Sequence, residues 1–183
     1  QSGTNNIYES KRIIMALAPS NNNIGYVFYE NGLSSDPVSS GGDLKPEADL
    51  FRFDMSGNTF TWSNRSANMP DFPGGNLSNS DPLSLQSGYN MEVAVKPDNP
   101  NVVFVGGTNL YRSTDGFATP NNTAWIGGYR TDFSYNQYTN SHADIHRLTF
   151  HPTDPNRAIC GNDGGIQETT NIAAATVAWN MLP

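Results

Sequence analysis

The 183-residue sequence holds one cysteine, Cys160. A lone thiol excludes the disulfide-stapled scaffolds of small extracellular domains. Cations are also scarce, 10 Lys and Arg against 17 Asp and Glu, for a net charge of -7 with no basic run. Nucleic-acid binding needs clustered Lys and Arg to displace counterions, so no nucleic-acid partner is expected. Attraction to an anionic membrane surface is disfavoured on the same ground. No apolar run approaches the roughly 18 residues of a membrane span. The opening "QSGTNNIYES" has neither a charged n-region nor an apolar h-region, so any signal peptide is expected to be removed or to lie upstream.

Hydrophobic residues make up 36% of the chain and aromatics 11%. The first figure is low for a doubly wound α/β protein, whose buried strands read as near-continuous Val, Ile and Leu. The second is high for a disordered chain. Short strands joined by polar turns satisfy both.

Three segments share one pattern: "RIIMALAPSNNNIGYVFYEN", "NMEVAVKPDNPNVVFVGG" and "IHRLTFHPTDPNRAICGN". Each is an alternating run that ends on a proline (Pro19, Pro97, Pro152), turns through Asn, Asp or Pro, and enters a second strand. A third strand, a turn and a tryptophan follow, reaching Trp62, Trp125 and Trp179. The prolines lie 78 (97 less 19) and 55 (152 less 97) residues apart, the first unit being longer through Gly/Ser/Pro-rich loops. Four strands per unit of about 40 to 50 residues is the pattern of propeller blades. The stretch "NIAAATVAW" alone shows a helix-like period, but β-branched Thr176 and Val177 and its place in the unit predict a strand.

The motif "RSTDGF", with Ser113, Asp115 and Gly116, resembles an Asp-box. The whole chain resembles the BNR/Asp-box propellers, a superfamily of sialidases, xyloglucanase-type glycosidases and sortilin-like (Vps10) domains. "HADIHRLTFHPTDPNRAICGNDGG" is most similar to bacterial secreted sortilin-like or glycosyl hydrolase-like repeat proteins, many from Bacteroidetes. Blades one ("DMSGNTF") and three ("ETTNIAA") carry degenerate boxes. The resemblance implies that Ser113, Asp115 and Gly116 are structural, with the Asp capping a tight turn and Trp125 packed beneath it.

His142, Asp144 and His146, at i, i+2 and i+4, share a face if all three lie on one strand. Such a set could ligate a transition metal, contact a ligand, or bond to neighbouring loops, with only Asp144 and His146 in the strand. The last is the favoured reading, and no metal site is expected. Asp163 in "GNDGG" could be a catalytic carboxylate or a weak Ca²⁺ ligand. An Asx-turn with Gly164 or Gly165 at positive φ is its plainer role. Glycosidase chemistry needs two carboxylates roughly 5 to 10 Å apart, and Asp144 with Asp163 is the best pair available. No sialidase-like "RIP" motif occurs, and no Gly-x-Ser-x-Gly elbow. Tyr129, Phe133, Tyr135 and Tyr138 precede the His/Asp stretch and suit a carbohydrate or a protein ligand. Cys160 reads as a small buried residue rather than a nucleophile.

The expected fold is therefore all-β, with about three four-stranded propeller blades (about 9–66 with loop insertions, 88–128 and 142–183). Propellers close with about four to eight blades, so the chain is expected to be part of a larger propeller, the remaining blades coming from the same or another chain. The expected role is a secreted or cell-surface bacterial module that binds polysaccharide or protein, without a cofactor and without catalysis. The alternatives are a polysaccharide-active glycoside hydrolase and a structural, secretion-associated cell-envelope component.

Overall fold

The computed structural model describes residues 12–33, 47–70, 81, 83–129 and 137–183. Its strands are β1 (Ile13–Ala18), β2 (Asn21–Glu30), β3 (Ala48–Asp54), β4 (Thr61–Asn64), β5 (Glu92–Val95), β6 (Val103–Gly106), β7 (Leu110–Ser113), β8 (Thr123–Gly127), β9 (Ile145–His151), β10 (Asp154–Asn162), β11 (Gly165–Thr169) and β12 (Asn180–Met181). They form three four-stranded sheets in the orders β1-β2-β3-β4, β5-β6-β7-β8 and β9-β10-β11-β12. Every pairing between neighbours is antiparallel. These are blades of a propeller-like fold, and their first strands β1, β5 and β9 lie side by side. Among the described residues no helix is long and apolar enough to cross a membrane.

The repeated proline turn has one mechanism in all three blades. Two residues after the proline, an Asx side chain accepts the backbone N–H two positions on. The pairs are Asn21 with Asn23 at 3.1 Å, Asn99 with Asn101 at 2.9 Å and Asp154 with Asn156 at 2.9 Å. This cap competes with continued strand and so fixes where each first hairpin reverses.

The blades stack face to face. Tyr26, Phe28 and Leu50 of blade one pack against Val93, Val95, Val103 and Tyr111 of blade two. The other face of blade two, through Ala94, Phe104, Leu110 and Ile126, packs against Ile145, Leu148, Cys160 and Trp179 of blade three. Both faces of β5 and β6 are thus buried, so "EVAV" and "VFVG" have no exposed residue. Fully burying a side chain such as Phe28 or Phe104 is favourable by about 1.5–3 kcal/mol.

The fourth strand of blade three differs from the expectation. "NIAAATVAW" is a run of turns, and only Asn180 and Met181 pair with β11. Specific bonds hold the run away from the sheet. Arg112 of blade two donates to the carbonyls of Ile172 and Ala174, and the Tyr138 hydroxyl accepts the Val177 N–H. The Trp179 indole N–H donates to the Ile126 carbonyl at 2.7 Å, which buries this tryptophan, whereas Trp62 is exposed.

In the Asp-box, Asp115 accepts from the backbone N–H groups of Ala118 and Thr119, the Thr119 hydroxyl and the Asn122 amide, at 2.8 to 3.1 Å. Burial acts to raise its pKa, but these bonds and one from Ser113 outweigh it and hold the carboxyl at about 2. Gly116 has φ +65 and lies against Tyr26, whose hydroxyl oxygen would be 2.3 Å from an added Cβ. Trp125 is half-buried on β8, where its indole N–H donates to the Gly127 carbonyl. Phe117, beside the box, is fully buried.

Candidate functional site

The first strands of blades two and three bring one polar cluster together. Its first contributor is the turn that opens β9. The His142/Asp144/His146 spacing does not produce a common strand face, because β9 begins at Ile145 and only His146 lies in it. Asp144 sits just before the strand with φ +64, a left-handed conformation that Asp tolerates better than most residues. Its N–H donates to the Thr108 carbonyl at 3.0 Å and the Ile145 N–H to the Gly107 carbonyl at 2.9 Å. These bonds from the neighbouring blade hold the strained backbone in place.

The turn before β5 supplies the partners of Asp144. Asn90 Nδ2 donates to its Oδ1 at 2.7 Å and Gln86 Nε2 to the same oxygen at 3.1 Å. Asp163 enters from the β10–β11 turn. Here the Asx-turn is made by the residue before it, Asn162, whose Oδ1 accepts the Gly164 N–H at 3.0 Å, and Gly165 takes φ +120. The Asp163 carboxylate instead accepts from His146 Nε2 at 2.6 Å and from the Tyr89 hydroxyl at 3.3 Å. The Tyr89 and His146 rings meet edge to face, with centroids 4.9 Å apart. Tyr89 is nonetheless 56% exposed.

The two carboxyls titrate in opposite directions. Burial, and after it the negative charge of Asp163, push Asp144 above the ordinary carboxylate range, with the Asn90 bond working the other way. The hydrogen bond from His146 holds Asp163 below that range. The charge of Asp163 in turn pushes the Tyr89 phenol up. Environments that push neighbouring titratable groups apart in this way are the pattern from which acid and base roles are assigned.

The structure thus joins Asp144, His146 and Asp163, and adds Tyr89, Asn90 and Gln86, which sequence reasoning did not select. The signal for Tyr89 was present: it lies eight residues before Pro97 as Asp144 lies eight before Pro152, and equivalent positions in stacked blades are neighbours. His142 has its ring 6.3 Å from that of Tyr129. It also lies over Gly164, where an added Cβ would come within 2.5 Å of His142 Cβ. Tyr138 contacts Trp125 edge-on at 4.9 Å and Val177 through its hydroxyl. Phe133 and Tyr135 lie outside the described residues. Among the described residues no group of three His, Cys, Asp or Glu is placed to hold a metal ion. Cys160 is fully buried, and burial pushes its thiol up to about 12.

No protein-family model matches the sequence, and no curated protein matches it. Among solved structures the fold is similar to that of a GH74 enzyme from Niastella koreensis, with a TM-score of 0.54 and 17% identity. The similarity covers 93% of this chain but 23% of that one, so the chain spans about a quarter of that enzyme's length. At this identity the likeness establishes the propeller-type architecture.

Proposed function

We propose that this chain is a β-propeller segment that binds polysaccharide, outside the bacterial cell and without cleaving it, at the cluster of Tyr89, Asp144, His146 and Asp163. One observation carries the reading: an exposed tyrosine ring, steadied edge-on by His146, beside two carboxyls that retain acceptor capacity. Sugars present apolar C–H faces and vicinal hydroxyls, which suit a flat aromatic ring flanked by acceptors. The neighbouring structure being a glycoside hydrolase supports a carbohydrate over a protein ligand. The reading includes further blades, from this polypeptide or another, since the described residues form three blades and propellers close with about four to eight.

A second reading, hydrolysis, draws support from the opposed titration of Asp144 and Asp163. Asp144, the carboxyl shifted upward, would take the general-acid role and Asp163, shifted downward, that of base or nucleophile. Binding is preferred because Asn90 and Gln86 donate to Asp144 Oδ1, and such bonds favour the ionised form over the protonated one that a general acid needs.

The test is to incubate the protein with a broad panel of polysaccharides and measure both retention and new reducing ends. Retention without new reducing ends is expected. New reducing ends that disappear in Asp144→Asn would establish hydrolysis instead. An absence of retention across the panel, with capture of an envelope protein, would favour the structural role.

A further inference from the structure

A cavity of about 290 Å³ lies between blades two and three, at Thr114 of the Asp-box. Its buried lining is cationic: Lys96 and Arg112, each 6% exposed. Asp98, Asn99, Thr114 and Ala173 complete it, and all four are exposed, so they mark its mouth. Lys96 follows β5 whereas Tyr89 precedes it, which puts this cavity and the Tyr89 cluster at opposite ends of that strand.

The repeat shows what the cavity lacks. The position opposite the seventh residue after the repeat proline is charged in every blade. It is Arg52 opposite Tyr26, Arg112 opposite Phe104 and Glu168 opposite Ile159. In blades one and three the charge is paired within its own sheet: Arg52 Nη2 meets Asp54 at 3.2 Å, and Glu168 lies 3.7 Å from Arg157. Arg112 is buried where Arg52 and Glu168 are half-buried, yet among the described residues no carboxylate pairs with it. Two residues on, where blade one has Asp54, blade two has Thr114. Both hydrogen bonds of Arg112 leave from Nη1, to the carbonyls of Ile172 and Ala174, and its Nε is buried without a partner. A buried cation is costly unless an opposite charge accompanies it. Asp98 does not fill that place, since it is half-exposed and bonded to Lys96 Nζ at 2.6 Å.

We propose that this cavity binds a small oxyanion, phosphate or sulfate, free or as an ester, between Arg112 and Lys96. A guanidinium takes an oxyanion through charge-assisted N–H bonds in a planar fork. The Lys96 ammonium has three donors, of which Asp98 takes one. Asn99 Oδ1 accepts the Asn101 N–H, which leaves its amide N–H groups as donors, and Thr114 adds a hydroxyl. Donors on several walls suit an anion with three or four acceptor oxygens better than a carboxylate with two. At roughly 30 Å³ for each water, the cavity has room for such an anion and for a group esterified to it. The chain carries a net charge of -7 and has no general attraction for anions, so binding here depends on the site itself. The site is independent of the Tyr89 cluster, and the failure of either reading leaves the other untouched.

Calorimetric titration of inorganic phosphate, and separately of sulfate, into the protein in chloride buffer tests the proposal. One saturable site per chain is expected. Lys96→Met keeps the buried stem, removes the charge and should weaken binding at least about tenfold. Thr114→Asp gives Arg112 the carboxylate that Arg52 has in blade one. It should abolish anion binding while Tm stays level or rises, because the new carboxylate takes the place of the anion. A folded wild type that binds neither anion saturably overturns the site. So does a folded Thr114→Asp variant that binds as tightly as wild type. Dextran sulfate identifies the source: competition with phosphate makes an ester on a polymer the ligand, its absence makes the ligand a small anion, and each result keeps the oxyanion site.

Discussion

Glu92 makes the most quantitative prediction. It lies on β5 between blades two and three, is 3% exposed, and its Oε1 meets no hydrogen-bond partner among the described residues. Arg147 lies 3.8 Å from it, with its own side chain 74% exposed. Burial, offset only in part by the Leu148 N–H and by Arg147 and Arg12, raises its pKa from 4.5 to about 7. Below pH 4.5 the folded and unfolded chains both hold the proton and the group has no pH-dependent effect. As pH rises from there, the unfolded chain releases a proton that the folded chain keeps, so stability falls until the folded group ionises near pH 7. A difference of about 2.5 pKa units at 1.36 kcal/mol each amounts to about 3.4 kcal/mol. Partial solvation of the charge reduces this to roughly 2–3 kcal/mol. For a chain of this size that is a Tm difference of roughly 4–12 °C. Thermal denaturation of wild type and Glu92→Gln at pH 5 and pH 8.5 reads it directly. The variant should be more stable by this amount at pH 8.5 and close to wild type at pH 5. Parallel pH dependences for the two proteins would refute the reasoning.

Further predictions concern the core and the Asp-box. Asp115→Ala removes the acceptor for two backbone N–H groups, two hydroxyls and one amide, and should lower stability by about 2–4 kcal/mol in chemical denaturation. Because the folded pKa of Asp115 is depressed, its contribution is present above about pH 4 and is lost as pH falls towards 2, so the variant should show a shallower acid transition. Phe104→Ala, at a fully buried position between blades two and three, should cost about 3–5 kcal/mol, measured by the same unfolding curves. Cys160 should resist a thiol reagent at neutral pH in the folded protein and react at once after unfolding, because it is buried and its thiolate is suppressed.

The architecture was legible because its signals are local. Alternation of apolar residues specifies strands, and the Pro-x-Asx step specifies where they turn, through the same side-chain cap in each blade. The last strand was misread because its fate is decided elsewhere in the chain. Nothing within "NIAAATVAW" announces that Arg112 and Tyr138 will hold its backbone in turns. The candidate site was half legible for a related reason. Asp144, His146 and Asp163 stand close together in one conspicuous stretch, whereas Tyr89, Asn90 and Gln86 belong to the preceding blade and reach them only through stacking. The common face that the i, i+2, i+4 spacing would give presumes an extended backbone, from which Asp144 departs at φ +64. Likewise the polar turn in "GNDGG" is closed by Asn162, which leaves Asp163 for His146.

The central claim is that the cluster spanning blades two and three is where polysaccharide is held. Its most direct test is the dissociation constant of a retained polysaccharide for wild type and for the double variant Tyr89→Ala/Asp163→Ala, with circular dichroism confirming the fold of each. Both side chains are exposed, so the fold should persist while affinity falls at least about tenfold, the effect of losing one charge-assisted hydrogen bond of about 1.5 kcal/mol. Unchanged affinity in a folded double variant would contradict the account and move the binding site away from this cluster.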